Sequence, residues 1–179
     1  MLKKGERGDG MDKLAVLRQY FGFPAFRAGQ QTLIDAVLSG RDALGVMPTG
    51  GGKSLCYELP ALLLPGMTLV VSPLISLMKD QVMALRNAGI PAGCINSSMS
   101  LDELRETYRD ARYGAYKLLY VAPERLLTDG FCSLAQELEI PLVAVDEAHC
   151  ISQWGQDFRP SYLKTVSYTH LTLPTIRLV

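Results

Sequence analysis

The stretch Met47–Ser54, MPTGGGKS, decides the fold of this chain. A run of glycines weakens any helix or strand that contains it, because glycine loses the most backbone freedom on folding and buries no side chain. Here the run follows the apolar stretch ALGVM, residues 43–47, and precedes the helical segment KSLCYELPALL. The pattern predicts a turn between a buried strand and a helix, with successive N–H groups pointing inward at an anion.

The residue types in this turn favour the phosphates of a nucleotide as that anion. The three consecutive glycines are Gly50, Gly51 and Gly52. Lys53 would reach the β and γ phosphates, and Ser54 would ligate Mg²⁺ through its hydroxyl. The strict pattern GxxxxGK[ST] is not satisfied, because its first glycine falls on Met47. A glycine-rich turn followed by an ordinary surface lysine is therefore the alternative.

Composition limits the classes of protein to consider. The chain has 179 residues, 48% hydrophobic and 20% charged, which is typical of one globular domain. Eighteen basic residues balance eighteen acidic ones, so nucleic-acid binding would have to come from a local patch. The four cysteines stand far apart, which favours buried thiols over a zinc site or a disulfide framework. No apolar run approaches the roughly 18 residues of a membrane span, so we expect a soluble, intracellular protein.

Short apolar runs alternate with helical segments from residue 43 onward. The strand candidates are ALGVM (43–47), MTLVVS (67–72), AGCIN (92–96), KLLYVA (117–122) and PLVAVD (141–146). These runs are apolar on both faces, which is typical of parallel strands buried between two layers of helices. Ser100 and Glu103 form a capping box that predicts one of the intervening helices. The pattern predicts a doubly wound parallel α/β sheet that binds ligands at the carboxyl ends of its strands.

The last predicted strand ends in two adjacent carboxylates, Asp146 and Glu147. Buried charges are costly unless they face a partner, so this placement favours a ligand. Asp146 would hold Mg²⁺, and Glu147 would orient and deprotonate an attacking water. The alternative is a helix N-terminus at which both acids merely complement the helix dipole.

Taken with its flanking segments, this sequence resembles the first RecA-like domain of a superfamily-two helicase, and the RecQ DNA helicases in particular. The resemblance covers roughly residues 12–164. Four segments carry it: FRxGQ at 26–30, VVSPLISLMKDQV at 70–82, APERL at 122–126 and DEAHCISQWGQDFRPSY at 146–162.

The resemblance implies a P-loop NTPase fold and an ATP-dependent 3′–5′ DNA helicase of DNA repair and recombination, located in the bacterial cytoplasm with the nucleoid. ATP and Mg²⁺ are the implied cofactors, and Thr49 joins the phosphate loop. Gln30 and Arg27 would recognise adenine while Phe23 stacks on the base. A carboxamide matches adenine N6 and N7 as a donor and acceptor pair. A nucleotide-binding module without motor activity and a DEAH-class RNA helicase are the alternatives.

A second set of residues would contact single-stranded DNA and duplex junctions or couple DNA binding to ATP turnover. Aromatic residues with an interleaved arginine suit single-stranded nucleic acid, because base stacking is worth about 1–3 kcal/mol per base. Packing of these aromatics in a core is the alternative. By resemblance, the candidates are Ser72, Lys79, Arg125, His149, Trp154, Phe158 and Arg159.

The chain departs from the family pattern after Lys164. Residues 165–179, TVSYTHLTLPTIRLV, match no family segment, and we expect a cloning or sequencing artefact, with a divergent native C-terminus as the alternative. Residues 1–10 are expected to be flexible, and residues 11–164 to form the ATP-binding domain, truncated at its C-terminus. An arginine finger from a second RecA-like domain is worth about 10³–10⁵ in turnover. We therefore expect this chain alone to bind ATP but not to unwind DNA.

Overall fold

The computed structural model describes residues 12–48, 50–148 and 175–178. Their strands form one parallel sheet in the order β1-β6-β5-β2-β4-β3. The strands are β1 Ala43–Gly45, β2 Thr68–Val71, β3 Ala92–Ile95, β4 Leu118–Val121, β5 Leu142–Val145 and β6 Thr175–Leu178. The predicted class, a parallel α/β sheet flanked by helices, is confirmed. Each of the five predicted strands is present, one or two residues shorter than its apolar run.

Helices cover both faces of this sheet. They are α1 Lys13–Phe21, α2 Gln30–Leu38, α3 Leu55–Leu63, α4 Ile75–Asn87, α5 Leu101–Arg112 and α6 Asp129–Glu137. Side chains of α3 and α4 share one core cluster with Val70 and Tyr120, whereas α5 and α6 share another with Leu69 and Val121. Successive residues of β2 and β4 thus alternate between two cores, and all four residues of each strand are buried. Burial on both faces explains why these strands are apolar throughout.

Local signals account for the helix ends nearest the site. α3 starts directly after the glycine run, with Ser54 at its N-cap position. The predicted capping box at α5 is present, since Ser100 Oγ accepts from the Glu103 N–H and Glu103 accepts from the Ser100 N–H. α1 and α2 pack on the outer side of α3 through Val16, Leu17, Ile34 and Leu59. This second layer places the segment between α1 and α2 next to the phosphate loop.

Strand β6 was not predicted. Residues 175–178 lie in the segment that the sequence analysis placed outside the helicase pattern, yet they pair in parallel with β1 on one side and β5 on the other. Ile176 and Leu178 are fully buried in the core that α3 and α4 share. β6 therefore separates the strand that precedes the phosphate loop from the strand that precedes Asp146.

Two further features concern the length of the helices and the state of the cysteines. Over residues 12–48, 50–148 and 175–178, no helix is long and apolar enough to cross a membrane. Cys56 and Cys94 are free thiols, and burial raises the pKa of Cys56 to about 12. A thiol with so high a pKa stays protonated and unreactive near neutral pH.

Candidate active site

A cleft of about 520 Å³ opens at the carboxyl ends of the strands, where the glycine turn after β1 faces the acidic pair after β5. Among the predicted residues, those that line it are Phe23, Arg27, Gln30, Gly50, Gly52, Lys53, Ser54, Asp146 and Glu147. Parallel α/β sheets bind ligands at this edge, because loops that follow different strands meet there. The fold thus brings together segments that the sequence analysis had identified separately.

Lys53 and Glu147 form an ion pair across the cleft. Lys53 Nζ lies 3.4 Å from Glu147 Oε1, although the two residues are 94 positions apart in the chain. Their side chains are only 17% and 21% exposed, so water screens the pair less than it would at the surface. The arrangement places a cation and a carboxylate within reach of one ligand.

Asp146 lies deeper than Glu147 and is 3% exposed. Its Oδ1 accepts from the backbone N–H of Glu147 at 3.0 Å. Burial raises the pKa of this carboxyl above its ordinary value, and the neighbouring charge of Glu147 raises it further, while Lys53 opposes the shift. A cation bound beside Asp146 would favour the ionised form that this environment otherwise disfavours.

Glu147 has a strained backbone. Its φ is +51°, and among the described residues it is the one residue other than glycine with positive φ. This left-handed conformation costs an L-residue about 1–2 kcal/mol, and such strain concentrates at functional sites. The carboxylate of this residue faces Lys53 across the cleft.

The donor atoms at the base of the cleft fit Mg²⁺. This ion takes oxygen ligands and is usually held by one or two carboxylates together with substrate phosphates and water. Ser54 supplies a hydroxyl and Asp146 a carboxylate, both lining the same cleft. Within the described ranges, no three His, Cys, Asp or Glu residues cluster as a metal cage. The donor set therefore suits an ion that arrives with a nucleotide.

Gln30 and Arg27 hold the phosphate loop in this structure. Gln30 is 2% exposed; its Oε1 accepts from the Arg27 N–H at 2.8 Å, and its Nε2 donates to Gly52 O at 3.0 Å. Arg27 Nη1 donates to Gly50 O. Phe23 is 45% exposed at the same rim. Adenine recognition by these residues stays a prediction, and it would require Gln30 to exchange its bonds to the loop for bonds to the base.

The close approach of Gln30 to Gly52 yields a prediction with a matched control. A Cβ at Gly52 would lie 2.5 Å from Gln30 Nε2, whereas a Cβ at Gly50 would meet nothing within 4 Å. The two glycines have nearly equal φ values, +79° and +77°, so alanine strains the backbone similarly at both. Gly52→Ala should weaken ATP binding about 10-fold more than Gly50→Ala in fluorescence titrations, because it alone displaces Gln30. Equal losses of affinity would contradict this account.

Sequence reasoning missed a group of polar side chains at the cleft and in the core beside it, namely the buried Tyr57, Glu58 and Tyr120 and the half-buried Gln81. Glu58 is 8% exposed and lines the cleft together with Ser54. Burial raises the pKa of Glu58 to about 7, and the charge of Asp146 contributes to the rise. The available signal was the i, i+4 spacing of Ser54 and Glu58, which puts both on one face of α3.

The residues predicted to contact DNA have different exposures. Lys79 is exposed on α4, and Arg125 is half-buried, with its Nε donating to Asn96 O at 3.2 Å. Ser72 is 0% exposed, and its hydroxyl has no hydrogen-bond partner among the described residues. A DNA contact by Ser72 stays a prediction, and it would require this buried side chain, which directly follows β2, to become exposed. Thr49, His149, Trp154, Phe158 and Arg159 lie outside the described residues.

Two solved structures with the same fold are described as helicases. A hypothetical ATP-dependent RNA helicase from Sulfolobus tokodaii matches with a TM-score of 0.70 and 21% identity, over 93% of this chain and 49% of that one. The DUF1998 helicase MrfA, solved with DNA and AMPPNP, matches with a TM-score of 0.74 and 18% identity, over 96% of this chain and 26% of that one. At these identities the likeness concerns the fold alone.

Curated relatives are more similar in sequence. The ATP-dependent DNA helicases RecQ of Bacillus subtilis and Haemophilus influenzae are 55% and 53% identical over 149 residues, which is 83% of this chain. The chain spans about a quarter of their length, 25% and 24%. The family model described as DEAD/DEAH box helicase matches residues 27–178, from the arginine beside the phosphate loop to the end of β6. This chain belongs to the DEAD/DEAH box helicase family.

Proposed function

We propose that this chain is the nucleotide-binding motor domain of an ATP-dependent DNA helicase of RecQ type. The observation that carries the proposal is the placement of Lys53 3.4 Å from Glu147, beside the buried Asp146. A surface lysine after a glycine-rich turn would not meet a carboxylate pair from a different strand. The names of the curated relatives at 55% and 53% identity supply the reaction class.

The mechanism follows from what each side chain can reach. Lys53 would leave Glu147 and bind the β and γ phosphates, while N–H groups at the start of α3 surround the phosphate oxygens. Ser54 and Asp146 would hold Mg²⁺, which neutralises charge on the phosphates when bound. Glu147, released from Lys53, would orient a water molecule and accept its proton. Binding of nucleotide thus frees the general base.

DNA as the second substrate has separate support. The curated relatives at 47–55% identity are named DNA helicases, whereas the RNA helicase of Sulfolobus tokodaii shares only the fold. Lys79 offers an exposed cation at the carboxyl edge of the sheet. Backbone phosphate contacts carry no sequence information, which suits an enzyme that moves along any sequence. The 3′–5′ direction and the role in repair and recombination belong to the same proposal.

The test joins this chain to the second motor domain of a RecQ helicase and measures steady-state ATP hydrolysis. We expect single-stranded DNA to stimulate hydrolysis at least 10-fold more than single-stranded RNA does. Lys53→Ala in the same fusion should show no DNA-stimulated hydrolysis. Equal rates for Lys53→Ala and the original would overturn the nucleotide site, and preferential stimulation by RNA would favour the RNA helicase alternative. ATP binding insensitive to either nucleic acid would favour a nucleotide-binding module.

A further inference from the structure

The loop of residues 96–100, between β3 and α5, lies at the carboxyl edge of the sheet, the edge at which the cleft opens. Its first residue, Asn96, is 0% exposed and directly follows β3. The mechanism above gives this residue no role. A buried carboxamide can accept and donate hydrogen bonds at the same time, so it can hold the backbone around it in one conformation.

Both the oxygen and the nitrogen of the Asn96 side chain have partners close by in the sequence. Oδ1 accepts from the N–H of Ser98 at 2.9 Å and from the Ser98 hydroxyl at 2.7 Å. Nδ2 donates to Cys94 Sγ at 3.7 Å. Because Ser98 is exposed while Asn96 is buried, this side chain ties the exposed part of the loop to the end of β3. The conformation of the loop thus depends on Asn96.

The main chain of Asn96 joins this loop to the segment that follows β4. Arg125 Nε donates to Asn96 O at 3.2 Å. Arg125 ends the short 3-10 helix Pro123–Arg125. β3 and β4 are neighbouring parallel strands whose last residues, Ile95 and Val121, are paired. The two segments therefore lie side by side at the carboxyl edge, and the hydrogen bond fixes the position of Arg125 relative to β3.

This hydrogen bond also sets the direction of the rest of the Arg125 guanidinium. The N–H donors on Nε, Nη1 and Nη2 lie in one plane, and the bond to Asn96 O uses only Nε. With Nε held, the direction in which Nη1 and Nη2 point is restricted. A planar pair of N–H donors suits the oxygens of a phosphate. The exposed Lys79 lies on α4, which packs against β3 and so adds a second cation on a neighbouring element.

We propose that Asn96 is a positioning residue for DNA binding, which holds the loop after β3 so that its carbonyl directs the Arg125 guanidinium towards a DNA phosphate. The inference rests on the proposed function, since it takes DNA as the second substrate and Arg125 as a backbone contact. Asn96 itself is buried and acts only through Arg125. Its replacement should therefore weaken DNA binding without altering the nucleotide cleft, whose lining residues come from other segments.

The experiment uses the fusion protein described above and measures ATP hydrolysis at a series of single-stranded DNA concentrations. For Asn96→Ala we expect the DNA concentration at half-maximal stimulation to rise about 10-fold, the usual effect of losing one charge-assisted hydrogen bond. Hydrolysis at saturating DNA and the KM for ATP should stay within about 2-fold of the original. Asn87→Ala, the same substitution at the exposed C-terminal end of α4, should leave all three quantities unchanged.

The dependence on salt separates an effect through Arg125 from a general distortion. Each phosphate that a cation contacts on single-stranded DNA contributes about 0.7 to the slope of log affinity against log salt concentration. Arg125→Ala should therefore lower the magnitude of this slope by about 0.7, and Asn96→Ala should lower it in the same direction. The double variant should bind DNA no more weakly than Arg125→Ala alone, because both substitutions act on one contact.

Ser98→Ala is a milder variant that should not disturb folding, because Ser98 is exposed and the substitution removes only the hydroxyl that donates to Asn96 Oδ1. We expect a rise of about 3-fold in the half-maximal DNA concentration, and no further rise when Arg125→Ala is already present. An unchanged half-maximal DNA concentration in these variants, an unchanged salt slope, or additive effects with Arg125→Ala would overturn the inference while leaving the proposed function intact. Absence of DNA stimulation in the original fusion would overturn both.

Discussion

Glu147→Gln should lower ATP hydrolysis by about 10²–10⁴-fold, the usual contribution of a positioned general base. The substitution keeps the shape of the side chain and removes its ability to accept a proton. It also removes the charge that pairs with Lys53 at 3.4 Å, so Lys53 should be freer to bind phosphates. We therefore expect binding of Mg²⁺ and ATP to stay equal or become tighter while turnover falls.

The measurement pairs steady-state hydrolysis by the fusion protein with equilibrium binding of a fluorescent ATP analogue. Glu139→Gln is the matched control, because Glu139 is exposed and lies beyond the opposite end of the strands, before β5. It should leave both hydrolysis and binding unchanged. A Glu147→Gln protein that loses ATP binding in parallel with turnover would show that Glu147 serves the binding site rather than the chemical step.

The second large effect concerns the pH dependence of stability in the metal-free chain. The pKa of Glu58 is raised from 4.5 to about 7, mainly because the carboxyl is buried. Between these values the unfolded chain has lost the proton while the folded chain keeps it, so stability falls as pH rises. The contribution of Glu58 to the free energy of unfolding is fully present below pH 4.5 and is lost as the pH rises through about 7. At about 1.4 kcal/mol per pH unit, the total loss is about 3 kcal/mol.

Glu58→Gln should remove this loss. A neutral carboxamide of nearly the same volume can occupy the site of the Glu58 carboxyl without being ionised at any pH. From pH 5 to pH 8, the free energy of unfolding of the variant should rise by about 2–3 kcal/mol relative to the original chain. Denaturant unfolding at both pH values in EDTA measures the difference, with Glu139→Gln as the control. If the difference in unfolding free energy between the variant and the original chain is the same at both pH values, Glu58 is already ionised in the folded chain at pH 5.

The parts of the fold and site that could be predicted are those with local signals. Val70 and Tyr120 lie in strands apolar on both faces, and a glycine run between strand and helix marks the loop that carries Lys53. A rule about parallel sheets predicted that Lys53 and Glu147 lie at the same edge of the sheet, since both residues follow strands. Their ion pair was not predicted.

The parts that could not be predicted depend on contacts between distant segments. The sequence pattern indicates only that Gln81 is a polar residue on an amphipathic helix. The packing of α3 against α4 brings Tyr57 next to it. Gln30 was expected to face a base, but the fold places Gly52 O within 3.0 Å of its amide. The segment TIRL, residues 175–178, is too short for its sequence alone to identify a strand. Its strand structure depends on pairing with β1 on one side and β5 on the other.

The position of β6 between β1 and β5 has a consequence for the order of folding. β6 leaves the ribosome after every other described element, yet the strands on either side of it carry the two halves of the cleft. Neighbouring strands lie about 4.8 Å apart, so two strands that pair directly leave no room for a third between them. β1 and β5 must therefore stay apart until β6 is inserted. Contacts between residues so distant in the chain form slowly. We expect the nascent chain to acquire affinity for ATP only after translation has passed residue 178.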